Sequence, residues 1–173
     1  MARVSIHERG EYLSDAVFSA SDGVVTTFAV VAGSAGASLD PNVVLILGFA
    51  NLFADGFSMA SGIYIGVKSE IEYEKAKGKS KIHEGLPIKH ALVTFFAFNI
   101  AGLVPLLPFL FKALNPFITS SVLVGLCLFV IGLLRSFYTK KNFVKSGVET
   151  FVVGGLAAFI AFLVGSLIKR SLI

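Results

Sequence analysis

Charged residues are scarce in this sequence: they make up 15% of its 173 residues, whereas hydrophobic residues make up 55%. The mean hydropathy is +0.81. This balance excludes a soluble globular domain and predicts an integral membrane protein. A chain of this length has room for several membrane-spanning helices but none for a separate soluble catalytic domain.

Cysteine is nearly absent as well. Cys127 is alone and lies in an apolar run, which excludes an intramolecular disulfide and a metal site built on a cysteine pair. We expect Cys127 to fill space in the core. Residues 1–12 are polar and mixed in charge, and they lack the basic start and apolar centre of a signal peptide, so cleavage is not expected.

Long apolar runs predict an all-α membrane protein that forms a single domain over residues 1–173. A membrane-crossing helix needs roughly 20 apolar residues. The first two predicted spans are expected to form a helical hairpin, and Pro105 and Pro108 interrupt the third, since proline kinks a helix and frees carbonyl groups. A charged loop covers residues 67–89. Five spans are predicted, at about residues 13–36, 41–66, 88–111, 117–134 and 146–168.

Lysine and arginine are distributed unevenly over the predicted loops. Twelve of them precede the first span or lie in the second-to-third and fourth-to-fifth connections, and three lie in the other connecting segments. Because basic residues are retained on the cytoplasmic side, the N-terminus is predicted to be cytoplasmic. The basic residues separate apolar runs and do not form one soluble face, so the net charge of +4 does not indicate a nucleic-acid partner.

Acidic residues occur inside the first two predicted spans. An Asp at the centre of a membrane helix costs about 2.5–3.5 kcal/mol on insertion scales, and no Lys, Arg or His lies deep in any span to pair with Asp22 or Asp55. The functional interpretation is that both line an ion pathway. The alternative is that each accepts hydrogen bonds from Ser or Thr near a helix end, with Asp22–Gly23 marking a local break.

The helical period places these acids on polar faces. The first face carries Glu11, Asp15, Asp22 and Thr26, and the second carries Asn51, Asp55 and Met59. A further face of the second helix carries only small residues, which allow another membrane helix to approach closely. These small residues are Ala50, Ala54, Ser58, Gly62 and Gly66.

Met59 lies one helical turn from Asp55. A carboxylate with a thioether suits a divalent ion such as Fe²⁺ better than Mg²⁺ or Ca²⁺, which prefer oxygen ligands. The lack of intramembrane His and of cysteine pairs argues against a common zinc site. Alternatively, Met59 is apolar filler, as methionine usually is in such a helix.

The acids of the loop allow two interpretations. Glu70 and Glu74 form a carboxylate dyad if the second helix extends into the cytosol, and Glu84 would complete a cytosolic site that captures metal. The surrounding lysines favour the other interpretation, a solvated and charge-balanced surface.

Two runs of the sequence are distinctive: DAVFSASDGVVTTFA at residues 15–29 and LILGFANLFADGFSMA at residues 45–60. They resemble the first two helices of the vacuolar iron transporter family, also called the CCC1 family. The resemblance is to a short form, because the region 67–89 stands where eukaryotic members carry a large metal-binding insert. Many members also have an acid where this chain has Ile63. The likeness continues through residues 94–98, 105–109, 145–149 and 154–158.

This resemblance implies a homodimer of five-helix protomers with an ion path at the dimer interface, lined by the first two helices. It implies that Fe²⁺, and often Mn²⁺, leaves the cytosol in exchange for protons. By position, the implied pathway residues are Asp22 and Met59, with Glu11 and Asp15 at the cytosolic mouth and Asp55 as a further candidate.

Three function classes remain open. The first is a proton-coupled exporter of divalent metal, without a resident cofactor. The second, a membrane enzyme, is not expected because no nucleophile, base or cofactor motif is present. The third is a non-transporting scaffold or metal-sensing accessory protein. The predicted location is the cell membrane in a prokaryote, and the vacuolar or another organelle membrane in a eukaryote.

Overall fold

Long helices make up nearly all of the described chain, which a computed structural model covers at residues 6–78, 86–139 and 143–172. Among these residues, five segments are long and apolar enough to cross a membrane. This confirms the prediction of an all-α, multi-pass membrane protein. The helices are α1 (Ile6–Gly36), α2 (Pro41–Ala76), α3 (Pro87–Gly102), α4 (Leu107–Leu110), α5 (Pro116–Thr139) and α6 (Phe143–Leu172), with a 3₁₀ turn at Val104–Leu106.

Local chemistry fixes the turn between α1 and α2. Asp40 caps α2, because its side chain accepts a hydrogen bond of 2.8 Å from the backbone N–H of Asn42. Pro41 occupies the first helical position, where its missing N–H is not needed. Ser38 has a left-handed φ of 56°, and its hydroxyl accepts a hydrogen bond of 2.7 Å from Lys169 Nζ. The turn is therefore tied to the end of α6.

The second helix is longer than the sequence predicts. It was expected to end near residue 66, but α2 continues to Ala76, so the first half of the predicted charged loop is helical. Glutamate and lysine are good helix formers, and Lys68 Nζ lies 4.0 Å from Glu72 Oε1 one turn away. Gly78 follows two residues after the last helical residue, and its positive φ of 73° is the usual signal for a helix end.

The third span is broken at the predicted prolines. The first part, α3, ends at Gly102, and a 3₁₀ turn and the short α4 carry the chain to Leu110. Pro105 cannot donate a backbone hydrogen bond, and its own carbonyl accepts one of 2.7 Å from the Ser120 hydroxyl. The break is thereby anchored to α5.

α1 and α3 run parallel in close contact. Asp15 meets His90, and a Cβ on Gly102 would lie 3.1 Å from Thr27 Oγ1. A Cβ on Gly23 would collide with the carbonyl of Phe98, so only glycine allows the two backbones to come this near. Each of these pairs is separated by 75 residues in sequence, so the register is constant along the two helices.

α1 is the central helix of the chain, because it also packs against α5 and α6. At its far end, a Cβ on Gly165 would overlap the carbonyl of Gly33, so α1 and α6 also meet backbone to backbone. Between these contacts lies an apolar core. Its most deeply buried members include Val24, Val31, Leu52, Phe98, Leu106 and Leu128.

Within the chain, α2 makes most of its contacts with α3. It also contacts α1, to which the short turn at residues 37–40 joins it, as the predicted helical hairpin requires, but both helices pack more extensively on α3 than on each other. The small-residue face of α2 (Ala50, Ala54, Ser58, Gly62 and Gly66) is exposed within the chain. The contacts of α2 within the chain use the neighbouring face, formed by Val44, Gly48, Leu52, Gly56 and Ala60.

Candidate functional site

Asp22 lies in an unbroken stretch of α1, which runs from Ile6 to Gly36. The predicted alternative of a helix break at Asp22–Gly23 is therefore wrong. The hydroxyls of Ser21 and Thr26 donate hydrogen bonds of 2.8 and 2.9 Å to the backbone carbonyls of Val17 and Asp22. These hydroxyls are thus used within the helix and do not satisfy the Asp22 carboxylate.

Asp55 is the second intramembrane carboxylate of the site. It is partly buried on α2, and its Oδ2 accepts a hydrogen bond of 3.2 Å from Asn51 Nδ2, as their shared helical face predicts. Asp55 is near enough to Asp22 for the two negative charges to repel each other. Two helices therefore bring carboxylates toward the same region, where a cation would relieve the repulsion.

Met59 lies one turn beyond Asp55 and is half-buried. Its side chain packs against the apolar core cluster. This contact agrees with the filler interpretation, and the role of the sulfur as a metal ligand stays a prediction.

Asp15 has a partner that the sequence reasoning missed. Its Oδ2 lies 2.5 Å from His90 Nδ1, and the ring of Tyr12 stacks on the imidazole with centroids 4.3 Å apart. The sequence has no His deep in a span to pair with Asp22 or Asp55, but His90, near the start of the third span, lies beside the shallower Asp15. The signal that finds this pair is the parallel register of α1 and α3, which the sequence alone does not reveal.

A cavity of about 580 Å³ opens between α1, α5 and α6. Asp22 lines it together with two charged residues that were not predicted as site residues, Arg135 and Glu149. Ser14 and Ser21 add polar groups to walls that are mainly apolar. The cavity therefore gives Asp22 an opening on the side where α5 and α6 pack.

Two of the three acids in the predicted capture site lie on the extension of α2. Glu70 and Glu74 lie one turn apart on that helix, so the geometric condition for the predicted dyad is met, although each also makes an interaction within the chain. Glu84 lies outside the described residues. Across residues 6–78, 86–139 and 143–172, no three His, Cys, Asp or Glu side chains converge as a metal site. The predicted acids thus line helix faces and do not form one closed centre.

Comparison with known proteins agrees with this architecture. The VIT family model matches residues 13–85 and 77–166. A vacuolar iron transporter of Toxoplasma gondii is 27% identical, with 92% of this chain and 75% of that protein aligned. Vacuolar iron transporter homolog 4 of Arabidopsis thaliana is 33% identical, with 92% and 87% aligned.

Vacuolar iron transporter 1 of Arabidopsis thaliana is 25% identical, and the alignment covers 93% of this chain and 88% of that protein. Nearly all of the five-span region is therefore matched, both by the family model and by these relatives. The resemblance seen in the two runs of α1 and α2 is confirmed, and the chain belongs to the VIT family.

Proposed function

We propose that this protein moves divalent transition metal, Fe²⁺ or Mn²⁺, out of the cytosol along a path lined by α1 and α2. Family membership and relatives named vacuolar iron transporters support metal as the substrate. The observation that carries the proposal is the approach of Asp22 and Asp55 from two apolar helices.

The electrostatics of this pair favour a cation. Each ionised carboxylate in an apolar span is costly, and the repulsion between Asp22 and Asp55 adds to that cost. Asn51 donates one hydrogen bond to Asp55, but an amide carries no charge. A divalent ion between the helices supplies the missing positive charge.

The choice of metal follows from the ligand types nearby. Oxygen ligands alone would serve Mg²⁺ and Ca²⁺ well, whereas a thioether favours softer transition metals. Met59 lies one turn from Asp55 on α2. When its side chain turns toward the path, the sulfur favours a transition metal over Mg²⁺ or Ca²⁺.

Exchange for protons follows from the chemistry of carboxylates. A carboxylate must be deprotonated to bind metal, so metal binding releases protons. When the ion leaves, protonation of Asp22 or Asp55 removes the repulsion between them. The site therefore alternates between a metal-bound and a protonated form.

We further propose that the path is completed in a homodimer. The small-residue face of α2 is exposed within the chain, and a Cβ on Gly62 or Gly66 would meet no atom within 4 Å. Beside this face, Phe53 and Phe57 are 56% and 69% exposed. A second copy of α2 fits such a surface, because small residues allow close approach of membrane helices.

The proposed orientation places the N-terminus, and with it Glu11 and Asp15, on the cytoplasmic side, as the positive-inside pattern indicates. The proposed location is the vacuolar or another organelle membrane in a eukaryote, and the cell membrane in a prokaryote.

Flux measurements on the purified full-length chain test this proposal. Proteoliposomes with a pH-sensitive dye inside receive Fe²⁺ under anaerobic conditions, or Mn²⁺, and both metal uptake and internal pH are followed. We expect metal to enter while protons leave. Metal flux without proton movement would contradict the proposed exchange of metal for protons. Metal binding without flux would favour the accessory or sensing function.

A further inference from the structure

We propose that His90 positions Asp15 for the incoming metal ion at the cytosolic mouth of the path. This inference rests on the proposed function, because it treats Asp15 as a metal ligand. His90 itself acts through Asp15 and is therefore a positioning residue. It lies on α3, outside the two helices that line the proposed path.

The imidazole of His90 is fixed from two sides. The residue is 3% exposed, its Nδ1 lies 2.5 Å from Asp15 Oδ2, and the Tyr12 ring covers its face at an interplanar angle of 29°. Tyr12 and Asp15 lie three residues apart on α1 and therefore contact the same ring. A flip of the ring would keep the stacking but move Nδ1 away from Asp15, so the ring has one favoured orientation.

The contact with Asp15 is the one side-chain hydrogen bond of the His90 ring among the described residues. Nε2 is buried and has no partner there, whereas Nδ1 faces Asp15 Oδ2. With a hydrogen on Nδ1, the ring donates to the carboxylate. Asp15 thus receives a hydrogen bond from a group that is itself held in place.

The contact with His90 leaves one carboxylate oxygen of Asp15 for the ion. His90 engages Oδ2 of Asp15, and Oδ1 remains for a metal. Asp15 lies seven residues before Asp22 on α1, a rise of about 10 Å along the helix, so an ion entering from the cytosol meets Asp15 first. A ligand carboxylate held by a second hydrogen-bonded group loses less conformational freedom when it binds metal.

Equilibrium binding of Mn²⁺ to the purified full-length protein, measured by electron paramagnetic resonance, tests this role without requiring transport. His90→Leu removes the donor, and we expect the affinity for Mn²⁺ to fall about tenfold, as for other groups that orient a metal ligand. His90→Asn retains an amide N–H near the position of Nδ1, so it should restore most of the affinity. His90→Gln places its amide near the position of Nε2 and should not.

Thr94→Val is the matched control, because Thr94 lies one turn further along α3, is fully buried and makes no side-chain hydrogen bond among the described residues. It should bind Mn²⁺ like the wild type. In an Asp15→Ala background, His90→Leu should cause no further loss, since the residue through which His90 acts has been removed.

Several results would overturn the inference. These are an unchanged affinity in a folded His90→Leu or His90→Gln protein, an equal loss from Thr94→Val, or a His90→Leu effect that persists without Asp15. If His90→Leu does not fold, the pair His90→Gln and His90→Asn decides the outcome. A wild type that binds Mn²⁺ but transports no metal would reject the proposed function, while the binding comparison would still decide the role of His90.

Discussion

At the scale of single residues, Asp22 is the first test of the path. Asp22→Ala removes a carboxylate that has no apolar packing role and that repels Asp55. We therefore expect a folded, membrane-inserted protein whose metal flux in proteoliposomes falls to the level of empty vesicles. Glu72→Gln, on the exposed extension of α2, is the matched control and should transport normally. Full flux with Asp22→Ala would remove this residue from the path.

Met59 is a test of metal choice. Met59→Leu keeps a similar apolar volume against the core but removes the sulfur. We expect the Fe²⁺ concentration for half-maximal flux to rise several-fold, while protein stability stays within about 1.5 kcal/mol of wild type. An unchanged concentration dependence would leave Met59 as a packing residue only.

The sequence revealed some of these residues and concealed others. Asp22 and Asp55 stand out because an acid in an apolar run needs an explanation. His90, Arg135 and Glu149 do not stand out, since their places beside Asp15 and Asp22 depend on which helices become neighbours. His90 reaches Asp15 only because α1 and α3 run parallel in one register, and that register is a tertiary property.

At the scale of helices, Gly23 is the critical contact of α1 with α3. Gly23→Ala would place a methyl group against the Phe98 carbonyl, which is backbone and cannot rotate away. We expect a loss of about 1–3 kcal/mol of unfolding free energy, seen as a Tm lower by several degrees. A thiol-reactive dye can report unfolding, because Cys127 is the only cysteine and is partly buried.

Gly155→Ala is the control for that measurement, because a Cβ at Gly155 on α6 would meet no atom within 4 Å. It should leave Tm unchanged or slightly raised. Equal Tm values for the two variants would mean that α1 and α3 are not in backbone contact at Gly23.

The extension of α2 allows a prediction about metal capture. Replacement of Glu70, Glu74 and Glu84 with Gln should leave both the half-saturating metal concentration and the maximal flux unchanged. The reason is that Glu70 is exposed, and Glu70 and Glu74 already interact within the chain. Flux across a range of metal concentrations, at matched protein levels, is the measurement. A clear rise in the half-saturating concentration would restore a capture role to this segment.

Helix positions were largely predictable, whereas helix ends and pairings were not. Apolar runs mark the part of each helix that the membrane covers, so the five spans follow from hydropathy. They give no signal for the solvated end of α2, which depends on helix-forming lysines and glutamates and on the pair Lys68–Glu72. They also do not show that α1 and α2 pack more extensively on α3 than on each other.

At the scale of the whole molecule, the exposed small-residue face of α2 predicts how two copies meet. Gly62→Leu adds bulk where the chain itself leaves open space. We expect the variant to fold but to shift from dimer to monomer in native mass spectrometry, with flux lost in parallel. Gly155→Leu adds the same bulk at another open position on α6 and should remain dimeric. A Gly62→Leu protein that stays dimeric and active would place the interface elsewhere.

The glycine contacts of α1 also limit how the protein can move. Gly23 against the Phe98 carbonyl, and Gly165 against the Gly33 carbonyl, join backbones directly, so no flexible side chain lies between them to absorb sliding. We therefore expect α1, α3 and α6 to travel as one rigid body whenever the path opens to either side. The displacement must then occur at α2 or between protomers. Distances between spin labels on α1 and α3 should stay constant during transport, while those from α1 to α2 change.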